Sequence, residues 1–185
     1  MSTHVAWLRA VNVGGKGVVK MTDVREAFES AGCRNVRTFQ AAGNVLFDAP
    51  GARGGALPNS LKTRIHAGMQ HLLGGEPGIC YRALDEVEAI VAADPFGTLA
   101  TDRMVKLYVV FMERRPARMP SLPLVFPKEA IEITHVRSTE AFVVSRRKPN
   151  GLLYGFPNAC VESLGVVATS RNWNTVTRLV EFAKR

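Results

Sequence analysis

The sequence contains no run of apolar residues near the roughly 20 that a bilayer-spanning helix needs. Its first residues, Met1, Ser2, Thr3 and His4, carry neither the basic stretch nor the apolar segment of an export signal. A cytoplasmic protein without membrane association is the expectation. Cysteine is scarce: Cys33, Cys80 and Cys160 are far apart and without CxxC spacing, which argues against a disulfide framework and a zinc site. They read as small apolar side chains of the core. His66 and His71 are five apart on a predicted helix, outside the i, i+4 spacing of a metal pair, so neither a metal nor a cofactor is expected. A GxSxG elbow, an HExxH helix and a protease-like pairing of cysteine with histidine are all missing. The acidic pair Asp85-Glu86 falls at a helix start, where it serves the helix dipole. No catalytic acid, base or nucleophile stands out, and whether the chain is an enzyme stays open at this point.

What is present is a globular composition. The chain has 185 residues, 46% of them hydrophobic, enough for one generous domain or two small packed halves with a real core. The formal charge of +8 and the pI near 9.9 point to a polyanion partner, because lysine and arginine displace the counterions condensed on phosphates. A compositional reading competes with that. Seventeen arginines stand against seven lysines amid abundant Ala, Val and Gly, the usage of a GC-rich genome. The densest basic runs are only Arg114-Arg115 and Arg146-Arg147-Lys148.

Periodicity sets out the elements. His4 to Val11 is apolar at nearly every position and reads as a central strand. A glycine-bearing loop follows, and then a helix capped by Thr22 with Val24, Ala27, Phe28 and Ala31 on its apolar face. Val36 to Gln40 and Asn44 to Phe47 form a hairpin through Ala41, Ala42 and Gly43. A helix from Asn59 or Ser60 to about Leu73 leads to a strand from Ile79 to Leu84. Residues 1–84 therefore have the β-α-β-β-α-β order of a ferredoxin-like half. Residues 85–185 read as a related second α+β half. It has a helix over 85–93, a strand over 105–112, a proline-rich connector to Pro127, a hairpin of 131–136 with 141–145, a short helix near 158–164 and a last helix from about Asn172 to Lys184. The expected fold class is α+β, a ferredoxin-like first half packed against a related second half in one compact unit. Apolar residues on both faces of 5–11 and 105–111 predict sheets covered on both sides.

Three clusters are candidate binding residues. The loop Asn12, Val13, Gly14, Gly15, Lys16 lies between a strand and a helix, where glycine backbone lets amides converge on an anion. It has neither P-loop spacing nor a dinucleotide fingerprint, so a plain turn is the competing reading. The ferredoxin-like order makes the first two strands parallel with the third between them. The loop then lies beside the turn containing Gln40, Gly43 and Asn44. Arg9, set in an apolar strand, needs either an acidic partner such as Asp48 or an anionic ligand if its guanidinium is buried. Arg171, Asn172 and Asn174 open the last helix, where N–H groups and the dipole favour an anion; capping is the structural alternative. Trp173 lies on the helix's apolar stripe and reads as core.

Arg9 with NVGGK at 12–16, TFQAAGNVLF at 38–47 and TSRNWNTVTRL at 169–179 resemble the family called domain of unknown function 1697. In that family a strand ends in LRGINVGGK, a hairpin reads T[YF]xxSGNVxF and a terminal helix reads T.RNWNTV. Ala10 and Ala42 stand here for a common glycine and serine. The resemblance implies a compact fold of ferredoxin-like halves, a bacterial cytoplasmic setting and no assigned activity. It also carries Arg9, Asn12, Lys16, Gln40, Asn44, Arg171, Asn172 and Asn174 over as site positions. The expected function is binding of a phosphate-bearing ligand, nucleic acid or nucleotide, at the glycine-rich loop and hairpin edge. The alternatives are an enzyme acting on a small anionic substrate, and a structural or protein-association module. The oligomeric state is not specified by the sequence.

Overall fold

The structure, a computed structural model, describes residues 2–9, 11, 19–148 and 154–185. It is a mixed α+β protein with two antiparallel sheets and five α-helices among those residues. The chain forms two compact units, Met1–Glu88 with Phe182–Arg185, and Ala89–Glu181.

In the first unit the elements follow the order β1 (Ser2–Leu8), α1 (Met21–Ser30), β2 (Arg34–Thr38), β3 (Asn44–Ala49), α2 (Asn59–Leu73) and β4 (Ile79–Ala83). The sheet order is β2-β3-β1-β4, with every neighbour antiparallel. Helix formation follows the apolar spacing: Val24 and Phe28 on α1, and Leu61, Ile65 and Met69 on α2, are buried against Ala6, Leu8, Val45 and Phe47. The Phe28 ring meets Phe47 edge-on at 5.3 Å. Two expectations change here. Lys20 precedes the first turn and its carbonyl accepts from the N–H groups of Asp23 and Val24. Thr22 therefore sits inside the helix, its hydroxyl donating to the Asp23 carboxylate at 3.0 Å, and is not the cap. β1 ends at Leu8, so Arg9 lies just past the strand.

α3 (Leu84–Ala92) leads into the second unit, and a short 3-10 helix (Gly97–Thr101) follows it. The strands are β5 (Val105–Met112), β6 (Leu124–Phe126), β7 (Ile131–Arg137), β8 (Glu140–Arg146) and β9 (Ala168–Asn172); α4 (Pro157–Glu162) precedes β9 and α5 (Trp173–Ala183) follows it. The sheet order is β6-β7-β8-β5-β9. Cys160 and Val161 of α4 close one face over Val110, Ile131, Ile133 and Val143, while on the other Phe96 packs edge-on against Phe142 and Trp173 at 6.0 and 5.3 Å. β6 arises inside the predicted connector, where Leu124, Val125 and Phe126 pair with β7. β9 was not expected at all. Its sequence, ATSRN, has too few apolar residues to show alternation.

One set of pairings occurs in both sheets. Trp7 faces Asn44 and Phe111 faces Glu140; Val5 faces Arg82 and Val109 faces Arg171. The Leu8 and Met112 N–H groups donate to the Gly43 and Thr139 carbonyls, each at 2.8 Å, and those of Arg9 and Glu113 to Gly78 and Val167 at 2.8 and 3.0 Å. β2 and β7 each carry one register shift, between Arg34 and Arg37 and between Ile133 and His135.

All three cysteines are free and buried. Burial pushes the Cys33 thiol up to about 11, with Arg64 opposing the shift, and raises that of Cys160. Among the described residues no helix is long and apolar enough to cross a membrane.

Candidate anion-binding site

Of the residues singled out in the sequence, Asn12, Gly14, Gly15 and Lys16 lie outside the described residues. The first unit holds Arg9, Gln40, Gly43 and Asn44. The pairing of β1 with β3 and β4 brings their backbones to one edge: Gly43 accepts from Leu8 N–H, and Gly78 from Arg9 N–H. Gln40, exposed, takes φ +57° and Gly43, buried, takes +68° in the hairpin turn. Asn44 is fully buried, and its Nδ2 donates to the Phe39 carbonyl at 2.9 Å, closing the hairpin from within. Its amide thus holds the turn's shape. Arg9 is exposed, so the desolvation penalty that called for a partner does not arise. Register also places Asp48 opposite Thr3, six positions from Arg9. The Asp48 carboxylate accepts from Thr3 and Asn35, each at 2.7 Å. Burial raises its pKa, but these two hydrogen bonds together with nearby positive charge, Arg37 included, outweigh that and hold it below the usual carboxylate value.

Arg171, Asn172 and Asn174 lie in the second unit. Arg171 is not at a helix start: it is the fourth residue of β9, paired with Val109 and only 8% exposed. Its Nη1 donates to Thr169 Oγ1 and to the Ser170 carbonyl, both at 2.8 Å. Arg82 holds the corresponding place in β4, its Nη1 donating to the Tyr81 carbonyl at 2.5 Å. Asn172 ends β9, and its Oδ1 accepts the Asn174 N–H at 3.0 Å, an N-cap for α5. Removing a charged donor from a buried acceptor costs about 1.5–3 kcal/mol. Arg171→Ala is therefore expected to lower unfolding stability by about 2 kcal/mol in urea titrations, and Asn172→Ala by about 1 kcal/mol through the lost cap. Asn174→Ala, at an exposed position, should stay within about 0.5 kcal/mol of the parent. Equal stability for Arg171→Ala and Asn174→Ala would refute the buried placement of Arg171.

Asn172, Trp173 and Asn174 line a cavity of about 510 Å³ with Asp102, Arg103 and Lys106. Tyr108 is the register partner of Asn172. Lys106, two residues earlier in β5, therefore falls beyond the end of β9, where α5 begins. Arg103 and Lys106 are both exposed, whereas Trp173 is buried on Phe96. Asp102 is engaged by its own turn, its Oδ1 accepting the Met104 N–H at 2.7 Å. Lys106 Nζ also sits 4.4 Å from the centroid of the Tyr154 ring, with the Arg147 guanidinium 5.8 Å from the same centroid. Arg103 and Lys106 were missed in the sequence because a lone arginine in a loop and a lysine at a strand start carry no motif. Only the β5–β9 pairing sets them beside the asparagines. Among the described residues no group of three or more His, Cys, Asp or Glu side chains could hold a metal ion.

A search of solved structures finds the conserved bacterial protein SP0830 from Streptococcus pneumoniae. It is similar to this chain with a TM-score of 0.65 at 16% identity, over 100% of this chain and 99% of that one. At that identity the likeness concerns the fold. No curated protein matches the chain. The model of the family described as "Protein of unknown function (DUF1697)" matches residues 1–142, and the chain therefore belongs to that family.

Proposed function

We propose that the chain is a cytoplasmic protein of two ferredoxin-like halves that binds a phosphate-bearing ligand, a nucleotide or nucleic acid. The observation that carries the functional reading is the second unit's cavity, where Arg103 and Lys106 stand beside the Asn172-capped start of α5. Two cationic side chains beside a helix N-terminus suit an anionic group bearing several acceptor oxygens. The fold reading is supported by the order β2-β3-β1-β4, repeated as β7-β8-β5-β9 with β6 added at one edge, and by the shared pairings above.

Comparison of the two halves supports the choice of unit. The place corresponding to Asn172, Trp173 and Asn174 is filled in the first unit by Ala83, Leu84 and Asp85. There the Glu86 carboxylate accepts the Ala83 N–H and the Asp85 carboxylate the Glu86 N–H, each at 2.8 Å. That helix start is already satisfied by its own acids, a poor setting for a phosphate. The α5 start carries no acidic residue in its first turn. Arg9 and the hairpin edge extend the same proposal to the first unit, as the second place to probe.

The test is anisotropy of a fluorescent nucleoside triphosphate at low salt. A charged hydrogen bond is worth about 1.5–3 kcal/mol, so the double variant Arg103→Ala/Lys106→Ala should bind about tenfold or more weakly. Loss of affinity in Arg9→Ala instead would move the site to the hairpin edge. Equal affinity in all three proteins would sink the cavity as the site.

A further inference from the structure

The register shift in β7 has a consequence for side-chain placement. Ile133 pairs with Val143 but His135 with Phe142, so Thr134 is an extra residue in the ladder with β8. Such a bulge reverses the face that each following side chain takes. Without it His135 would share the face of Ile133, in the core beneath α4. With it, Val136 and its partner Ala141 continue that core, and His135 and Arg137 share the face of Phe142. There they border a cavity of about 210 Å³ whose remaining lining is apolar, including Ile90 of α3, Pro95 and Phe142. It has no lining residue in common with the cavity of Arg103 and Lys106.

The two polar residues make opposite demands. The Thr134 hydroxyl donates its one proton to the Phe142 carbonyl at 3.1 Å, so its oxygen accepts from His135 Nδ1–H at 3.0 Å. The neutral ring, held in that tautomer, presents Nε2 as an acceptor. Arg137 offers charged donors. It is exposed and takes part in no ion pair among the described residues. Its register partner Glu140 is buried and accepts from Thr139 Oγ1 at 3.1 Å. Two residues apart on one strand face, His135 and Arg137 are spaced by about 6.7 Å.

We propose that this cavity is a second binding site, for a small hydroxy-carboxylic acid with a compact apolar body. The carboxylate pairs with Arg137, a hydroxyl at the ligand's other end donates to His135 Nε2, and the body lies against Ile90, Pro95 and Phe142. Charge selects an anion, because no acidic residue lines the cavity. Size selects a small one. The volume of about 210 Å³ equals about seven waters at about 30 Å³ each, and falls below the roughly 300–1,000 Å³ of sites for drug-sized ligands. A nucleotide is therefore excluded here, and the proposal stands or falls apart from the phosphate reading above.

The experiment is calorimetric titration with 4-hydroxybenzoate as the probe, with an expected dissociation constant of about 1 mM or below. Two near-isosteres separate the contacts. The uncharged 4-hydroxybenzamide should bind about tenfold more weakly, and 4-methylbenzoate, which lacks the hydroxyl, about fivefold more weakly. Arg137→Ala should weaken binding of 4-hydroxybenzoate about tenfold, and His135→Phe should remove its advantage over 4-methylbenzoate. Ala93 is exposed at the cavity's edge, and Ala93→Leu should fill the space and abolish binding. All three variants alter exposed positions, so their unfolding curves should match the parent. Arg103→Ala/Lys106→Ala should bind the probe as the parent does. The proposal is overturned if no binding is seen up to about 10 mM, or if Arg137→Ala and Ala93→Leu bind like the parent. Loss of binding in Arg103→Ala/Lys106→Ala would also overturn it, by moving the probe to the other cavity.

Discussion

Replacing Gly155 by alanine is expected to lower unfolding stability by about 3 kcal/mol, near the upper end for overpacking in a closed site. Gly155 passes directly against the backbone of Glu129. A Cβ at this position would overlap the Glu129 carbonyl oxygen and come within 2.9 Å of Ile131 Cγ1. Neither neighbour can yield cheaply. Ile131 is 1% exposed and begins β7. Withdrawing Gly155 itself would break the hydrogen bond from the fully buried Ser145, leaving its hydroxyl unsatisfied. The loss would be a large share of the 5–15 kcal/mol that stabilises a typical domain. Gly75→Ala is the control: no atom lies within 4 Å of its added Cβ and its φ is not in the left-handed region. That variant should unfold with the parent or slightly later. Coincident urea midpoints for Gly155→Ala and Gly75→Ala would refute the close approach that positions Tyr154 and Phe156.

At Gly43, alanine is expected to cost about 2–3 kcal/mol in total. The left-handed conformation, φ +68°, costs an L-residue about 1–2 kcal/mol. Sterics supply the remainder, since the added Cβ would lie 2.8 Å from Leu8 Cβ and 3.2 Å from Val11 Cβ. Moving the turn outward to relieve the contact would stretch the bond from Leu8 N–H to the Gly43 carbonyl. Gly74 separates the two effects. It has nearly the same φ, +67°, at the C-terminal end of α2, but nothing within 4 Å of an added Cβ. Gly74→Ala should therefore show only the conformational cost, about 1–2 kcal/mol. The difference between the two variants in calorimetric unfolding measures the packing of the hairpin against the end of β1. No difference would mean that this edge is looser than the geometry states.

Much of the element pattern was legible because it is local. Val24 and Phe28, or Leu61, Ile65 and Met69, mark one face of a helix by spacing alone, and all are buried as that spacing requires. β5 was read over Val105–Met112, its bounds in the structure. The misses share a cause. Thr22 has the right chemistry for a cap, yet the cap position falls two residues earlier, at Lys20, whose carbonyl accepts the first helical bonds. β9 is a polar pentapeptide that becomes a strand because β5 offers it a ladder. Once Arg171 is part of that ladder, it ceases to be a helix-start residue, and its guanidinium donates to Thr169 and Ser170 of its own strand.

The sequence by itself determined the α+β class, the two hairpins, the lengths of the long helices and membership of the family, since propensity, apolar period and motif all act over a few residues. The tertiary structure alone decided that Arg171 is buried while Arg9 is exposed, and that Lys106 and Arg103 meet Asn172 and Asn174 around one cavity. The physical reason is that burial and strand pairing are collective. The β5–β9 ladder joins residues from Met112 and Ala168 to Tyr108 and Asn172, far apart in the chain, and a side chain's environment is set by whichever strand the fold places beside it.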